Sequence, residues 1–155
     1  MATHKTFSGA FKALYKRMES VQRDLPSVLA NEGTKFWLGN FDKEGFDDGG
    51  VKSWKVPERR IPGTSSYKYP KSKGLSRRIK KTLIGTGKLR RAVNNSVKEK
   101  TFKRIVWRVG SEVPYAARHN EGLNKMPKRE FMGESKTLNK RFKQRIIGAY
   151  KKAFS

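Results

Sequence analysis

Residues 7–41 read FSGAFKALYKRMESVQRDLPSVLANEGTKFWLGNF, and the spacing of apolar side chains in this stretch decides the fold. Apolar residues recur at alternating steps of four and three, which places them on one stripe of an amphipathic helix. The stripe consists of Phe7, Phe11, Leu14, Met18, Val21, Leu25 and Val28, and it is continued by Phe36, Trp37, Leu38 and Phe41. The pattern predicts a helical region over residues 6–44.

Pro26 interrupts this pattern, because a proline inside a helix lacks the N–H that bonds to the carbonyl of Gln22. Two arrangements accommodate it: one long helix with a kink, or a second helix that begins near residues 24–27. Thr6 and Ser8 are suitable residues to cap the first turn. The glycines that follow residue 44 predict where the helical region ends.

Residues 45–75 lose the periodicity and are rich in glycine, proline and serine. Their apolar anchors are Trp54, Ile61, Tyr67 and Tyr69. A connection of this length is rare in a compact domain unless it is functional or disordered. We therefore expect a long extended basic loop that becomes ordered against a neighbouring molecule.

Residues 76–155 are expected to form the α+β core of a single domain that spans residues 1–155. The predicted elements are a helical turn through Leu75, Ile79 and Leu83, a helix over Lys88–Val93 capped by Thr86, strands over Asn94–Lys100 and Phe102–Val109, and a helix over Tyr115–Glu121 closed by Gly122.

The last predicted helix covers residues 135–153, with Ser135 as its N-cap. Its apolar residues recur at steps of four, and its other face carries seven cations while no acidic residue follows Ser135. The fold class is therefore α+β, with a long N-terminal helix, a small antiparallel β-sheet, a C-terminal amphipathic helix and a long extended basic loop.

The charge of the chain is unevenly distributed. Of 155 residues, 37 are Lys or Arg and 13 are Asp or Glu, for a net charge of +24. Residues 1–50 are neutral, with seven of each sign, so all of the excess lies in residues 51–155. Because that density of like charge repels itself, we expect phosphate or an acidic protein surface beside the second part of the chain.

Little in the sequence favours catalysis, a cofactor or a metal. Cysteine is absent, and the histidines are His4 and His119. Residues 85–88 (GTGK) resemble a phosphate-binding loop, but the earlier glycine is missing and Leu89 replaces the required Ser or Thr. Carboxylates after residue 50 are isolated, unlike those of a metal-dependent nuclease. We expect no enzyme activity.

The basic segments leave two alternatives open. Arg77, Arg78, Lys80, Lys81, Arg90 and Arg91, with the terminal helix, could follow a phosphate backbone while Trp54, Tyr67 and Tyr69 stack on bases. Such binding would be non-specific, because the chain shows no sequence-reading motif. The same cations could instead face acidic subunits of a larger assembly.

Four short segments in residues 83–135 together resemble the virion-morphogenesis and tail-completion proteins of long-tailed phages. The segments are Thr86-Gly87-Lys88-Leu89, Val109-Gly110-Ser111, residues 115–122 (YAARHNEG) and residues 127–135 (PKREFMGES). Upstream, Phe46, Gly49, Gly50 and Trp54-Lys55-Val56-Pro57 are similar to the glycine-then-tryptophan stretch of that family.

The resemblance implies a non-enzymatic structural protein at the head–tail junction, present as a ring or in several copies. Its partners would be other neck and tail proteins: portal or adaptor, head-closure, tail-tube or terminator subunits. Non-specific contact with DNA is compatible with this role, and we expect no association with a membrane. The chain would be found in the virion neck or tail, and in the host cytoplasm during assembly.

Seven residues are candidate interface residues on these grounds. They are Trp54, Arg90, Arg91, Tyr115, His119, Arg129 and Phe131. Arg129 and Phe131 are expected to lock the segment before the last helix onto the sheet. Tyr115 and His119 are expected at a contact between subunits.

Overall fold

The computed structural model of the protein describes residues 7–69 and 80–155. The fold is α+β, with 54 % helix and 9 % strand, which confirms the predicted class. In chain order the elements are α1 (Phe7–Lys43), β1 (Gly45–Asp47), β2 (Val51–Ser53), a 3₁₀ turn (Glu58–Arg60), α2 (Ser65–Lys68), α3 (Lys88–Asn94), β3 (Val97–Lys100), β4 (Ile105–Trp107), α4 (Ala116–Glu121) and α5 (Lys136–Phe154).

Helix α1 is one uninterrupted helix of 37 residues with Pro26 inside it, so the alternative of a second helix beginning near residues 24–27 is wrong. Pro26 is buried, donates no hydrogen bond, and lines a cavity together with Phe102 and Tyr150. Ser8 lies inside the first turn and is not the cap, whereas Thr6 is outside the described residues.

Helix α5 runs antiparallel along α1. Near the C-terminal end of α5, the Arg17 Nη1 donates to the Ala153 carbonyl oxygen at 3.4 Å, while Arg145 pairs with Glu32 at 2.9 Å further along α1. Ser135 caps α5 as predicted, because its Oγ accepts a hydrogen bond from the Leu138 N–H at 3.2 Å. The two long helices thus form one layer of the fold.

The core lies where the second half of α1 meets the other elements. Phe41 is fully buried, and its ring centre lies 5.5 Å from that of Phe131 and 5.7 Å from that of Trp54. Trp107 packs edge-on against Trp37 at 5.1 Å. The buried cluster comprises Phe36, Trp37, Phe41, Phe46, Trp54, Leu89, Ala92, Val93, Val113, Ala116, Phe131 and Leu138.

Two separate antiparallel hairpins replace the one small sheet that was expected. In the first, Gly45 pairs with Ser53 and Asp47 with Val51. A Cβ atom on Gly45 would lie 2.6 Å from the Lys52 carbonyl oxygen, so the strands approach this closely only with glycine there. In the second, β3 pairs with β4 through an irregular register, and β4 is shorter than the predicted strand.

The prediction that residues 45–75 form one extended loop is wrong for the part that the structure describes. Residues 45–53 form the first hairpin, and the 3₁₀ turn and α2 follow it. Strands of three residues show too few alternations to give a periodic signal. Residues 70–75 are outside the described residues.

The connection into α3 also differs from the prediction. Gly87, not Thr86, occupies the N-cap position, in the left-handed conformation with φ 78° that glycine adopts readily. Leu83 lies in a turn with φ 63° and not in a helix, while Leu75 and Ile79 are outside the described residues. By contrast, Gly122 ends α4 with φ 76°, as predicted.

Candidate functional site

Three of the seven candidate interface residues are buried within the chain. Trp54 is 7 % exposed, Phe131 is 2 % exposed and Arg129 is 7 % exposed. The Trp54 indole also donates to the Glu130 carbonyl oxygen at 2.7 Å. Trp54 and Phe131 are therefore core residues, and the idea that Trp54 stacks on nucleic-acid bases is wrong.

The other four candidates are exposed or partly exposed, and each has a contact inside the chain. Arg90 pairs with Asp42 at 3.1 Å, and the Arg91 guanidinium donates to the Thr86 carbonyl oxygen at 3.3 Å. Tyr115 is 37 % exposed and packs edge-on against His119, with 6.1 Å between the ring centres. Of the basic segments, Arg77 and Arg78 are outside the described residues.

Asn120 joins the two segments that carry the family resemblance, residues 115–122 and 127–135. Its Oδ1 accepts from the N–H groups of Phe131 at 2.9 Å and Met132 at 3.0 Å, and its Nδ2 donates to the Met132 carbonyl oxygen at 2.9 Å. The Arg129 N–H donates to the His119 carbonyl oxygen at 2.7 Å. The segments form one hydrogen-bonded unit.

A second buried amide fastens this unit to α1. Asn40 is fully buried; its Nδ2 donates to the Phe131 carbonyl oxygen at 3.2 Å and its Oδ1 accepts from the Asp47 N–H at 3.3 Å. The Trp37 indole donates to the Gly133 carbonyl oxygen at 3.2 Å. Arg129 and Phe131 thus hold the segment before α5 against α1 and residue 55, and not mainly against a sheet as was expected.

Sequence reasoning missed both asparagines. The one signal for Asn40 is its place in an otherwise apolar run, Phe36-Trp37-Leu38-Gly39-Asn40-Phe41, where a polar residue must find hydrogen-bond partners once buried. Asn120 has no comparable signal, because its partners lie in a segment whose path depends on tertiary packing.

A cleft of about 410 Å³ lies between the turn before α3, the 3₁₀ turn and α4. Its charged and titratable lining residues are Arg59, Lys88, Tyr115, His119 and Arg129. No carboxylate belongs to its lining among the described residues. The Arg129 Nε donates to the Lys55 carbonyl oxygen at 3.1 Å, which fixes one edge of the guanidinium group.

Electrostatic conditions in this cleft oppose positive charge. Burial, and then the nearby charge of Arg129, lower the pKa of His119 below its ordinary value. Burial likewise lowers the pKa of Arg129. The Nδ1 atom of His119 is buried and has no hydrogen-bond partner within the part of the chain that the structure describes.

Most carboxylates of the chain already have cationic partners. The ion pairs are Arg23–Asp24, Lys43–Asp47, Lys52–Asp48, Arg60–Glu44, Arg90–Asp42, Arg104–Glu99, Lys128–Glu130, and Arg141 and Arg145 with Glu32. In residues 7–69 and 80–155, the exposed cations Lys136, Lys140, Lys143, Lys151 and Lys152 form no ion pair. Helix α5 therefore presents a basic face to any neighbour.

The first turns of α1 form a second surface. Because Arg17 contacts Ala153 near the end of α5, the residues of α1 before it extend beyond α5. At 1.5 Å per residue, this extension is roughly 15 Å long. Phe11 is 59 % exposed and Tyr15 is 65 % exposed on it.

The described residues contain neither a cluster of metal ligands nor a candidate membrane span. No three His, Asp or Glu side chains come together there as metal ligands would. No helix there combines the length and apolar character needed to cross a bilayer. No family model matches the chain, and no significant match exists among curated proteins or solved structures.

Proposed function

We propose that this protein is a non-enzymatic structural component of the virion, at the head–tail junction of a long-tailed phage. In this role it joins head and tail through protein–protein contacts, in a ring or in several copies. The observation that carries the proposal is the unit built around Asn120. It brings together residues 115–122 and 127–135, the segments that resemble neck and tail-completion proteins, by three hydrogen bonds.

Two surfaces suit such a role. The exposed aromatic rings of Phe11 and Tyr15 stand on the extension of α1, where burial between copies or against a neighbouring ring would remove apolar area from water. The basic face of α5 would meet acidic neighbours, which relieves the repulsion among its cations. Neither surface needs a reaction to explain it.

The test is to inactivate the gene in the phage that encodes this chain. We expect DNA-filled heads and separate tails to accumulate, and the purified protein to restore joined, infectious particles when it is added to them. Electron microscopy and plaque counts provide the two measurements. Normal joining without the protein, or particles that fail before DNA is packaged, would contradict the proposal.

Non-specific binding of nucleic acid is the second candidate function. The cations on α5 that form no ion pair within the described residues favour it, and Tyr69, which is 78 % exposed, could stack on a base. Affinity for random duplex DNA should then be high and should fall steeply as salt is raised, because each phosphate contact releases counterions. Low affinity for DNA that changes little with salt would favour the junction role instead.

A further inference from the structure

Arg129 is a buried cation without a carboxylate partner in the described part of the chain. It is 7 % exposed, and its side chain makes one hydrogen bond there, from Nε to the Lys55 carbonyl oxygen. Uncompensated burial of a charge is unfavourable, and proteins normally pair such a group with a counter-ion. The missing counter-ion is therefore expected from outside the chain.

The nearby Arg60 shows what a completed site looks like in the same protein. Arg60 Nη1 lies 2.5 Å from Glu44 Oε1, and the Thr82 N–H donates to the same oxygen at 2.6 Å. Thr82 also lines the cleft that contains Arg129. Of these two arginines, only Arg60 receives a carboxylate within residues 7–69 and 80–155.

The cleft around Arg129 has the features of a binding site for an anionic group. Arg59 and Lys88 add two cations to its lining, and His119 adds a titratable ring. An entering carboxylate can reach the Arg129 guanidinium, because Arg129 lines the cleft. With a volume of about 410 Å³, the cleft accommodates one or two side chains.

The walls of the cleft favour a polypeptide over a nucleic-acid backbone. Pro57, Leu83, Ile84 and the Tyr115 ring provide apolar surface beside the cations. A phosphodiester backbone carries a charge at every unit and would lose hydration against such walls. An acidic side chain flanked by apolar residues instead matches both the recessed cation and the apolar lining.

We propose that this cleft receives an aspartate or glutamate side chain from a partner polypeptide and that Arg129 binds its carboxylate. This inference rests on the proposed function in taking another protein as the partner. Arg129 and the rim cations provide charge, while His119 and Tyr115 provide hydrogen-bonding groups. The site gives the basic protein one specific contact beside its diffuse attraction for acidic surfaces.

The test is an NMR titration of the purified full chain with a short acetylated and amidated peptide that has one glutamate between two leucines. We expect saturable shifts of the Arg129 Nε–H and the His119 ring signals. A peptide with glutamine in place of glutamate should bind at least about tenfold more weakly. Binding should also raise the pKa of His119, because the carboxylate offsets the charge of Arg129.

Three variants separate a specific site from general charge. Arg129→Gln should weaken peptide binding by at least about tenfold. Arg108→Gln, which removes an exposed arginine outside the cleft lining, should change binding less than about twofold. Lys88→Gln removes an exposed cation at the rim and should weaken binding by about twofold to fivefold, so the site stays testable if Arg129→Gln fails to fold.

Several outcomes would overturn this inference. They are the absence of shifts at Arg129 and His119, equal losses for Arg108→Gln and Arg129→Gln, or saturation of the same signals by inorganic phosphate or duplex DNA while the peptide causes none. These outcomes are distinct from failure of the proposed function. Peptide binding with normal head–tail joining in the gene-inactivated phage would leave the cleft intact and reject the junction role.

Discussion

The two halves of α1 share one apolar pattern but differ in what covers them. In the second half, Phe36 and Phe41 are 4 % and 0 % exposed, because α5, Trp54 and the segment around Phe131 enclose them. In the first half, Phe11 and Tyr15 are 59 % and 65 % exposed. An amphipathic stripe therefore predicts a helix but does not predict whether the same chain will cover its apolar face.

Removing the Phe131 ring, which packs against the second half of α1, should have the largest effect on stability. Phe131→Ala should lower the free energy of unfolding by about 3–5 kcal/mol, because the ring is 2 % exposed and contacts Phe41. Denaturant unfolding followed by tryptophan fluorescence measures it. Phe102→Ala is the control, since that ring is 53 % exposed, and a loss below about 1 kcal/mol is expected there. Equal losses would contradict the placement of Phe131.

The buried amide on the covered half should have the next largest effect. Asn40→Ala should cost about 1–3 kcal/mol, because the Phe131 carbonyl oxygen and the Asp47 N–H lose a partner while they remain shielded from water. Chemical denaturation gives the value. The control is Asn139→Ala on the exposed face of α5, which should change stability by less than about 0.5 kcal/mol. A neutral Asn40→Ala would show that the amide does not fasten the segment to α1.

Glu44 follows directly after the second half of α1, and its carboxylate makes the free energy of unfolding depend on pH. Burial alone would raise its pKa, but hydrogen bonds from Thr82 and Arg60, together with the charge of Arg60, outweigh burial and lower the pKa to about 2. The folded state therefore favours the carboxylate. Its contribution is complete above about pH 4.5, the ordinary value, and is lost as pH falls toward 2.

Glu44→Gln should accordingly lower the free energy of unfolding by about 1–2 kcal/mol at neutral pH. The difference from the unmodified protein should shrink as pH falls from about 4.5 to 2, which urea midpoints at several pH values would reveal. Glu121→Gln, at an exposed glutamate on α4, should show little difference at any of these pH values. A difference for Glu44→Gln that does not vary with pH would contradict the ion pair.

The exposed half of α1 should show the smallest change in stability and a large change in assembly. Tyr15→Ser should alter the free energy of unfolding by less than about 0.5 kcal/mol, because the ring is 65 % exposed. In the add-back experiment it should restore fewer joined particles than Lys16→Ser, a control on the same extension. Equal restoration by both variants would argue against a contact through the exposed aromatic rings.

The helices could be predicted because their signals are local. Apolar spacing determined the extent of α1, and Ser135 and Gly122 marked the start of α5 and the end of α4. The hairpin over residues 45–53 was missed, because its strands are three residues long and their pairing is stabilised by contacts outside the segment. The cap of α3 was assigned to Thr86 because side-chain chemistry cannot reveal that Gly87 takes the left-handed conformation.

The seven candidate interface residues that the sequence singled out lie in different environments in the structure. Tyr115, His119 and Arg129 do line one cleft, whereas Trp54 and Phe131 are core residues. The sequence does not show whether an apolar side chain is buried in the core of its own chain or in a contact between molecules. Only the tertiary structure decides whether such a side chain lies in the core of its own chain or at a contact with another molecule.

The sequence by itself determined two long amphipathic helices, the α+β class and a cationic second part, because periodicity, capping and charge depend on neighbouring residues alone. Tertiary structure alone decided which half of α1 is covered, that Asn40 and Asn120 fasten the segment before α5, and that Arg60 has a carboxylate partner whereas Arg129 has none among the described residues. The reason is physical: the Asn40 contact joins residues 91 positions apart and the Arg129 contact joins residues 74 positions apart, and burial exists only once the chain has folded.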